Sequence, residues 1–306
     1  MNRPTLWVMC GLPSSGKSTE AKKIAEEYDA IICSSDSLRA ELFGDEAYQE
    51  HNQEVFTELS RRIKDHLRNG LNVVMDATNI NYKRRKGFID QLKSIQCDKV
   101  CVVMATPYEE CLKRNVRRDR KVPEYAIKRM YMNFNIPYWY EGWDDIQIIG
   151  SQSEYYNVDD VVNALNDYDQ GNSHHSLTLG DHLWKAYEYY QENYNKFDTL
   201  YDDVSAMATI LHDIGKPFCR TEVNARGVND GDAHYYNHMY TSAYDSLFVN
   251  SLKNRLDVAI RIMWHMQPYF WEKTNDEKQH NKYRRLWGEE LYQDVMKIHA
   301  ADKAGH

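Results

Sequence analysis

The sequence predicts two unlike halves: an α/β domain on a parallel sheet, then an all-α domain. Three observations carry this. Short apolar runs alternate with amphipathic stretches up to about residue 150. A glycine-rich loop sits between the first apolar run and a helix. Beyond about residue 170 the strand-like runs stop, every segment reads helical, and histidines begin to stand beside aspartates. Strands alternating with helices imply a parallel sheet covered on both faces.

In order, TLWVMC (5–10) is a buried strand, followed by the loop and a helix to about Tyr28. AIICSSD (30–36) is a second strand, and 46–69 is helical, with Val55, Leu59, Ile63 and Leu67 four apart. LNVVMDAT (71–78) is a third strand, 83–95 a helix, KVCVVMA (99–105) a fourth strand, 108–119 a helix and DIQIIG (145–150) a fifth strand. QGNSHHS (170–176) reads as a linker, which sets the boundary between 1–168 and 169–306. The helical segments that follow begin at GDHLWKAYEYYQENY and end at EELYQDVMKIHAADKAG.

The chain has 306 residues, enough for two domains, and 38 Lys+Arg against 46 Asp+Glu. Neither half is basic overall, so any contact with nucleic acid must be local. The six cysteines form no C-x-x-C, and their apolar settings suit free thiols in a reducing cytoplasm. No run approaches the ~20 apolar residues of a membrane span, so a soluble cytoplasmic protein with no membrane partner is expected.

GLPSSGKST (11–19) matches G-x-x-x-x-G-K-[ST] in the required context, after a strand and before a helix. Main-chain amides of such a loop wrap a phosphate, and the helix N-terminus adds positive potential. Gly11, Ser14, Ser15, Gly16 and Thr19 form the cradle, Lys17 reaches the β and γ phosphates, and Ser18 holds Mg²⁺. Asp36, just past the second strand, is placed to take a proton from an attacking hydroxyl, although a helix N-cap would use the same residue type. Arg39, one turn on, suits an acceptor phosphate. Asp76, ending the third strand, is placed to assist the Mg²⁺. In KRNVRRDRK (113–121), Arg114 and Arg118 share a helix face and suit a γ-phosphate. KRRK (83–86) is a weaker signal that fits a surface equally well.

These strings in order, GLPSSGKST, SSDSLRAELFG, VVMDATNIN with KRRK, and LKRNVRRDRKVPEYAIKRMY, resemble the kinase domain of phage-type polynucleotide 5′-kinases over about residues 5–150. The resemblance implies a P-loop kinase domain that phosphorylates a 5′-hydroxyl of RNA or DNA from ATP or another nucleoside triphosphate. It implies Asp36 as general base and Arg39 on the acceptor's 3′-side phosphate. Arg114 and Arg118 would be lid arginines, Arg118 also on ATP, with Lys17, Ser18 and Asp76 as phosphate and metal residues. The D-x-D-G-[TS] phosphatase motif of the well-known phage kinases is absent; DGD (230–232) lies in a polar loop.

The second half instead offers His182, His212 with Asp213 in LHDIGK, His234 and His238 in HYYNH, His265 and Asp302. Imidazoles and carboxylates from separate helices can meet around a divalent cation, which acidifies water and polarises a phosphate oxygen. The set resembles the HD phosphohydrolase superfamily over roughly 173–306. That resemblance implies His182, His212, Asp213 and Asp302 as ligands, His238 and His265 for a second ion, and Lys216 on the substrate phosphate. His175 and His234 are further candidates. Mixed His/Asp ligands suit Mn²⁺, Fe²⁺, Co²⁺, Ni²⁺ or Zn²⁺.

Paired, the two resemblances imply end healing: 5′ phosphorylation and removal of a 3′-end phosphate, cyclic or not, before a ligase acts. Two alternatives stay open. One is a nucleoside or nucleotide kinase fused to a nucleotidase, the other an ATP-dependent switch on a binding module. Among the 23 tyrosines and seven tryptophans, Tyr138, Trp139, Tyr140, Tyr269 and Trp271 are candidate base-stacking residues, with packing the commoner role.

Overall fold

The computed structural model describes residues 3–48, 50–150, 157–173, 176–194, 203–249, 254–274 and 277–306. Candidate His175 lies outside them. The chain divides into two compact units, Met1–Met130 with Pro137–Ser153, and Tyr131–Ile136 with Glu154–His306. The division thus precedes the expected 168/169 boundary, and 131–136 joins the helical unit.

The first unit is a five-stranded sheet of order β2-β3-β1-β4-β5, in which every pairing is parallel. Its strands are β1 (Thr5–Cys10), β2 (Ile31–Ser34), β3 (Val73–Asp76), β4 (Asp98–Ala105) and β5 (Asp145–Gly150). The helices are α1 (Lys17–Tyr28), α2 (Ser35–Phe43), α3 (Asn52–Arg68), α4 (Tyr82–Gln91), α5 (Tyr108–Val116) and α6 (Glu124–Tyr131). β1 lies between β3 and β4, where the strand order reverses, and ligands of such sheets bind at the carboxyl ends at that point. Apolar residues of β1, β3 and β4 pack against Ala21 and Ile24 of α1. The expected helix at 46–69 begins only at Asn52, because a separate helix, α2, follows β2 directly and stops at left-handed Gly44.

Within KRRK, Lys83 and Arg84 are exposed and Lys86 is half-buried, but Arg85 turns inward. Arg85 is 3% exposed and Glu141 fully buried. They form a bidentate pair at 2.8 and 2.7 Å, joined by the Trp143 indole. Burial pushes the Arg85 guanidinium down, but Glu141 outweighs it and the net direction is up. Arg85 also donates to Asn79 O, and Asn79 donates to Met9 O at the end of β1. The pair therefore braces the strand ends that carry the phosphate loop. Arg85→Ala strands a buried carboxylate, so unfolding free energy should drop by about 3–5 kcal/mol, read as a lower urea midpoint. A midpoint within experimental error of wild type would refute this role.

The second unit is helical: α7 (Val158–Asn163), α8 (Leu179–Tyr194), α9 (Val204–Leu211), α10 (Lys216–Cys219), α11 (His238–Ser246), α12 (Arg255–Trp264), α13 (Gln267–Thr274) and α14 (Glu277–Ala304). α8 packs on α9 and α14, α9 on α12, and α11 on α12. A short antiparallel ladder joins Arg220–Thr221 to His234–Tyr235. The 170–176 stretch is not a plain linker: Gln170 is fully buried, and Asp169 bridges Thr178. The six cysteines are free and buried. Among the described residues no helix is long and apolar enough to cross a membrane.

Candidate active sites

The phosphate loop leaves β1 and enters α1 through two left-handed residues, Ser14 (φ 64°) and Gly16 (φ 98°). A side chain at Gly16 would strain that turn, which is why the motif needs glycine there. The loop is tied down by Gly11 N–H to Thr78 O (3.0 Å) and Thr106 Oγ1 to Ser15 O (2.9 Å). Ser15 Oγ is buried without a hydrogen-bond partner and lies over Gly11, where a Cβ would meet it at 2.7 Å. Lys17 is buried and its Nζ donates to Leu12 O at 2.7 Å. Burial pushes its ammonium pKa down, and Asp76 pulls the other way.

β2 and β3 are in register with Ser34 opposite Asp76, so Asp36 and Asp76 come to the same sheet edge. Ser34, not Asp36, caps α2 by accepting from Ser37 N–H. Asp36 is left to two arginines: Arg39 Nη1 at 2.7 Å and Arg120 Nη1 at 2.9 Å. Arg118 Nη1 lies 3.4 Å from Ser14 Oγ. Arg114 is held by Glu110 at 2.7 Å, with its guanidinium close to Gly16. Lys17, Ser18, Thr19, Asp36, Arg39, Asp76, Arg114 and Arg118 all line one cavity of about 1050 Å³. Arg120, which the sequence reading passed over inside a charge run, lines it too.

The helical unit gathers six of the seven singled-out histidines and aspartates that lie among its described residues. His182 lies on α8, His212 and Asp213 follow α9, His238 opens α11, His265 follows α12, and Asp302 is near the end of α14. All six are buried. Gly215 lets α10 press on α11: a Cβ there would meet Ser242 N at 2.5 Å, and the Gly215 N–H donates to Ser242 Oγ.

The tautomers follow from the hydrogen bonds. His182 Nδ1 faces Gly305 O, His212 Nδ1 faces Thr209 O, His238 Nδ1 faces Tyr235 O and His265 Nδ1 faces Ile262 O, at 2.6–3.1 Å. A carbonyl accepts only, so each Nδ1 carries a proton, and in the neutral ring each Nε2 presents a lone pair. Yet the Nε2 atoms converge, His182 to His212 at 3.1 Å and His238 to His265 at 3.3 Å. Two lone pairs at that distance repel unless a cation lies between them. Asp302 Oδ1 is 3.3 Å from both His182 and His212 Nε2, and Asp213 Oδ2 is 3.5 and 3.4 Å from them. Donors about 2.1 Å from one centre lie ~3.0 Å apart when octahedral and ~3.4 Å when tetrahedral, so the four fit one divalent cation.

Asp213 Oδ1 lies 3.0 Å from His238 and 3.6 Å from His265 Nε2, a second three-donor group that shares this carboxylate. That oxygen receives no hydrogen bond despite the short contact, as expected when both partners are acceptors. The electrostatics agree. Burial pushes Asp213 and Asp302 up, but Lys216 and the histidines hold Asp213, and the histidines hold Asp302, well below the carboxylate range. Burial likewise pushes His182 down, and the two carboxylates carry it up to about 9 with a proton on Nε2, which a bound cation would have to displace.

Lys216 Nζ lies 2.6 Å from Asp213 Oδ2 and 2.7 Å from Gln170 Oε1. His234 stands apart, paired with Asp230 at 2.9 Å on an exposed loop, because it lies on the short ladder rather than on a bundle helix. The Tyr269 hydroxyl donates to Asp302 Oδ2 at 3.1 Å, leaving Oδ1 toward the imidazoles. Trp271 is buried among Tyr283, Trp287 and Tyr292, and Tyr138 is buried in the first unit, whereas Trp139 and Tyr140 are exposed.

Residues 6–137 match the family model described as an AAA domain (AAA_33). Over 166 residues the chain is 31% identical to the L-seryl-tRNA(Sec) kinase of Methanococcus maripaludis, a match covering 52% of this chain and 64% of that protein. The chain thus spans just under two thirds of that curated relative. A chain of the Pnkp1/Rnl/Hen1 RNA repair complex is similar at a TM-score of 0.37 and 26% identity, over 42% of this chain and 43% of that one. The APS kinase of Mycobacterium tuberculosis, solved with AMPPNP and APS, gives 0.39 and 19%, over 50% and 92%. From loop, sheet order and family match together, the N-terminal α/β half has the P-loop kinase fold.

Proposed function

We propose that the chain heals nucleic-acid ends, phosphorylating a 5′-hydroxyl in its first unit and removing a 3′-end phosphate in its second. The observation that carries the first half is the charge of the cavity. Eight basic side chains and only two carboxylates line it, in a chain of net charge −8. A nucleoside triphosphate alone does not need so many cations. A second polyanion beside it does, which favours a polynucleotide acceptor over a free nucleoside or sugar. The curated relative is named for a kinase of a tRNA-borne hydroxyl, which supports a hydroxyl acceptor on RNA.

In this reading the loop amides and Lys17 grip the β and γ phosphates, with Arg114 and Arg118 over the γ-phosphate. Asp36 accepts the proton of the 5′-hydroxyl as its oxygen attacks. Ser18 and Asp76 would hold Mg²⁺, which would neutralise phosphate charge during transfer. The chemistry is mostly positioning and electrostatic stabilisation, as this residue set suggests.

In the second unit His182, His212, Asp213 and Asp302 would hold one divalent transition cation, and Asp213, His238 and His265 a second. Such cations supply Lewis acidity toward a phosphate oxygen and acidify water. Tyr269 orients Asp302, and the backbone carbonyls fix the imidazole tautomers. Lys216, between Asp213 and Gln170, is near enough to a ligand carboxylate to meet a bound phosphate. The pairing has a chemical logic. Cleavage of RNA by its own 2′-hydroxyl leaves a 5′-hydroxyl and a 2′,3′-cyclic phosphate, and a ligase needs a 5′-phosphate and a free 3′ end.

The test is RNA carrying those two ends, incubated with ATP, Mg²⁺ and Mn²⁺, with both termini analysed. Both should change. Transfer to free nucleosides in preference to the RNA would support instead a small-molecule kinase joined to a nucleotidase.

A further inference from the structure

Both oxygens of Asp36 are held by guanidinium groups from different parts of the chain. Arg39, from α2, takes Oδ1 at 2.7 Å, and Arg120, from the segment after α5, takes Oδ2 at 2.9 Å. Two positive charges therefore face one negative charge. Arg39 is 6% exposed, donates Nη2 to Asn52 at 2.8 Å, and keeps a buried Nε with no acceptor. Burial and the neighbouring Arg120 both disfavour the Arg39 cation, with Asp36 opposing them. Glu46, 3.5 Å from Arg120, has a half-exposed side chain and so relieves little of the excess. An excess of positive charge beside an unsatisfied buried donor is what a bound anion relieves.

We propose that Arg120 is a second ligand of the acceptor phosphate, closing on it from the side opposite Arg39 and making the charge of that phosphate a condition for efficient transfer. This rests on the kinase reading above and adds a specificity residue to it. A hydroxyl donating to Asp36 competes with its two guanidinium partners for the carboxylate charge. Arg120 is the one free to shift, with 24% of its side chain exposed against 7% for Arg39. It exchanges carboxylate for phosphate at nearly constant charge pairing. In the transfer the 5′-oxygen bonds to the γ-phosphorus, the bond to the β–γ bridging oxygen breaks, the hydroxyl proton passes to Asp36, and ADP leaves. Arg120 makes or breaks none of these bonds.

The experiment uses the full chain and two 5′-hydroxyl oligonucleotides. One has an ordinary first internucleotide phosphate, the other a neutral methylphosphonate there. Wild type should prefer the charged acceptor by about 30-fold in kcat/KM, mostly through KM, the size expected for one charged hydrogen-bonded contact. Arg120→Ala should shrink that preference to about fivefold, the remainder being due to Arg39, and Arg120→Lys should fall between. Each preference is a ratio within one variant, so differences in folded fraction cancel. An undiminished preference in Arg120→Ala, or an equal gain in rate on both acceptors as a simple latch on Asp36 would give, overturns the proposal and leaves the kinase reading standing. Wild-type transfer to neither oligonucleotide overturns both.

Discussion

On the proposed function, Lys17→Ala should abolish 5′ phosphorylation, by about 10³-fold or more in kcat, and leave the 3′-end reaction at its wild-type rate. The size follows from removing a preorganised cation from a site where charge develops on the transferring phosphoryl group. Lys17 is buried, so its charge is little screened and no neighbouring water replaces it. Its present partner is the Leu12 carbonyl at 2.7 Å, a contact that a phosphate oxygen outbids on charge alone. Labelled phosphate transfer from ATP to a 5′-hydroxyl oligonucleotide reads the first effect, and release of 3′ phosphate on the same preparation reads the second. Retention of more than a tenth of the kinase rate would remove the loop from the reaction. Parallel loss of both activities would argue against separate sites.

On the two-cation reading, Asp213→Asn should empty both cation groups in the second unit at once. Its two oxygens point to different ligand groups, Oδ2 to His182 and His212, Oδ1 to His238 and His265. The amide keeps the shape but loses the charge that makes the cage attractive to a cation. Bound metal should fall below one-tenth of wild type by elemental analysis, 3′-phosphate removal should vanish, and kinase activity should be unchanged. Melting gives a second readout. A ligand at 100 times its Kd stabilises the wild type by about 2.7 kcal/mol, so added Mn²⁺ should raise its melting temperature and leave that of Asp213→Asn unmoved. If the variant still binds metal and hydrolyses, the shared-ligand geometry is wrong. If the wild type takes up no transition metal, the hydrolase half of the proposal fails.

Strand positions were legible because buried parallel strands are continuous apolar runs, and β1, β4 and β5 fall where TLWVMC, KVCVVMA and DIQIIG predict. The phosphate loop was legible because main-chain geometry demands glycine at 16, and the His–Asp doublet because two such ligands in sequence are rare without a shared task. α2 and the late start of α3 were less so, since SSDSLRAELF carries only a weakly amphipathic pattern and its boundaries are set by Ser34 and Gly44. Arg120 was hidden in a run of like charges, where nothing local distinguishes the arginine that folds back on Asp36 from those in solvent.

Residue types and their spacing along the chain were enough to name a phosphate cradle, a carboxylate at a strand end and a histidine–aspartate set, because each depends on local backbone geometry or on the chemistry of the side chain itself. Which of these meet depends on contacts between residues far apart in the chain. The Arg85–Glu141 pair, the Tyr269 hydroxyl on Asp302, Gln170 on Lys216 and Arg120 on Asp36 join residues 56, 33, 46 and 84 positions apart. No periodicity encodes such pairings. They arise when packing brings charges and donors from distant segments together so that they satisfy one another.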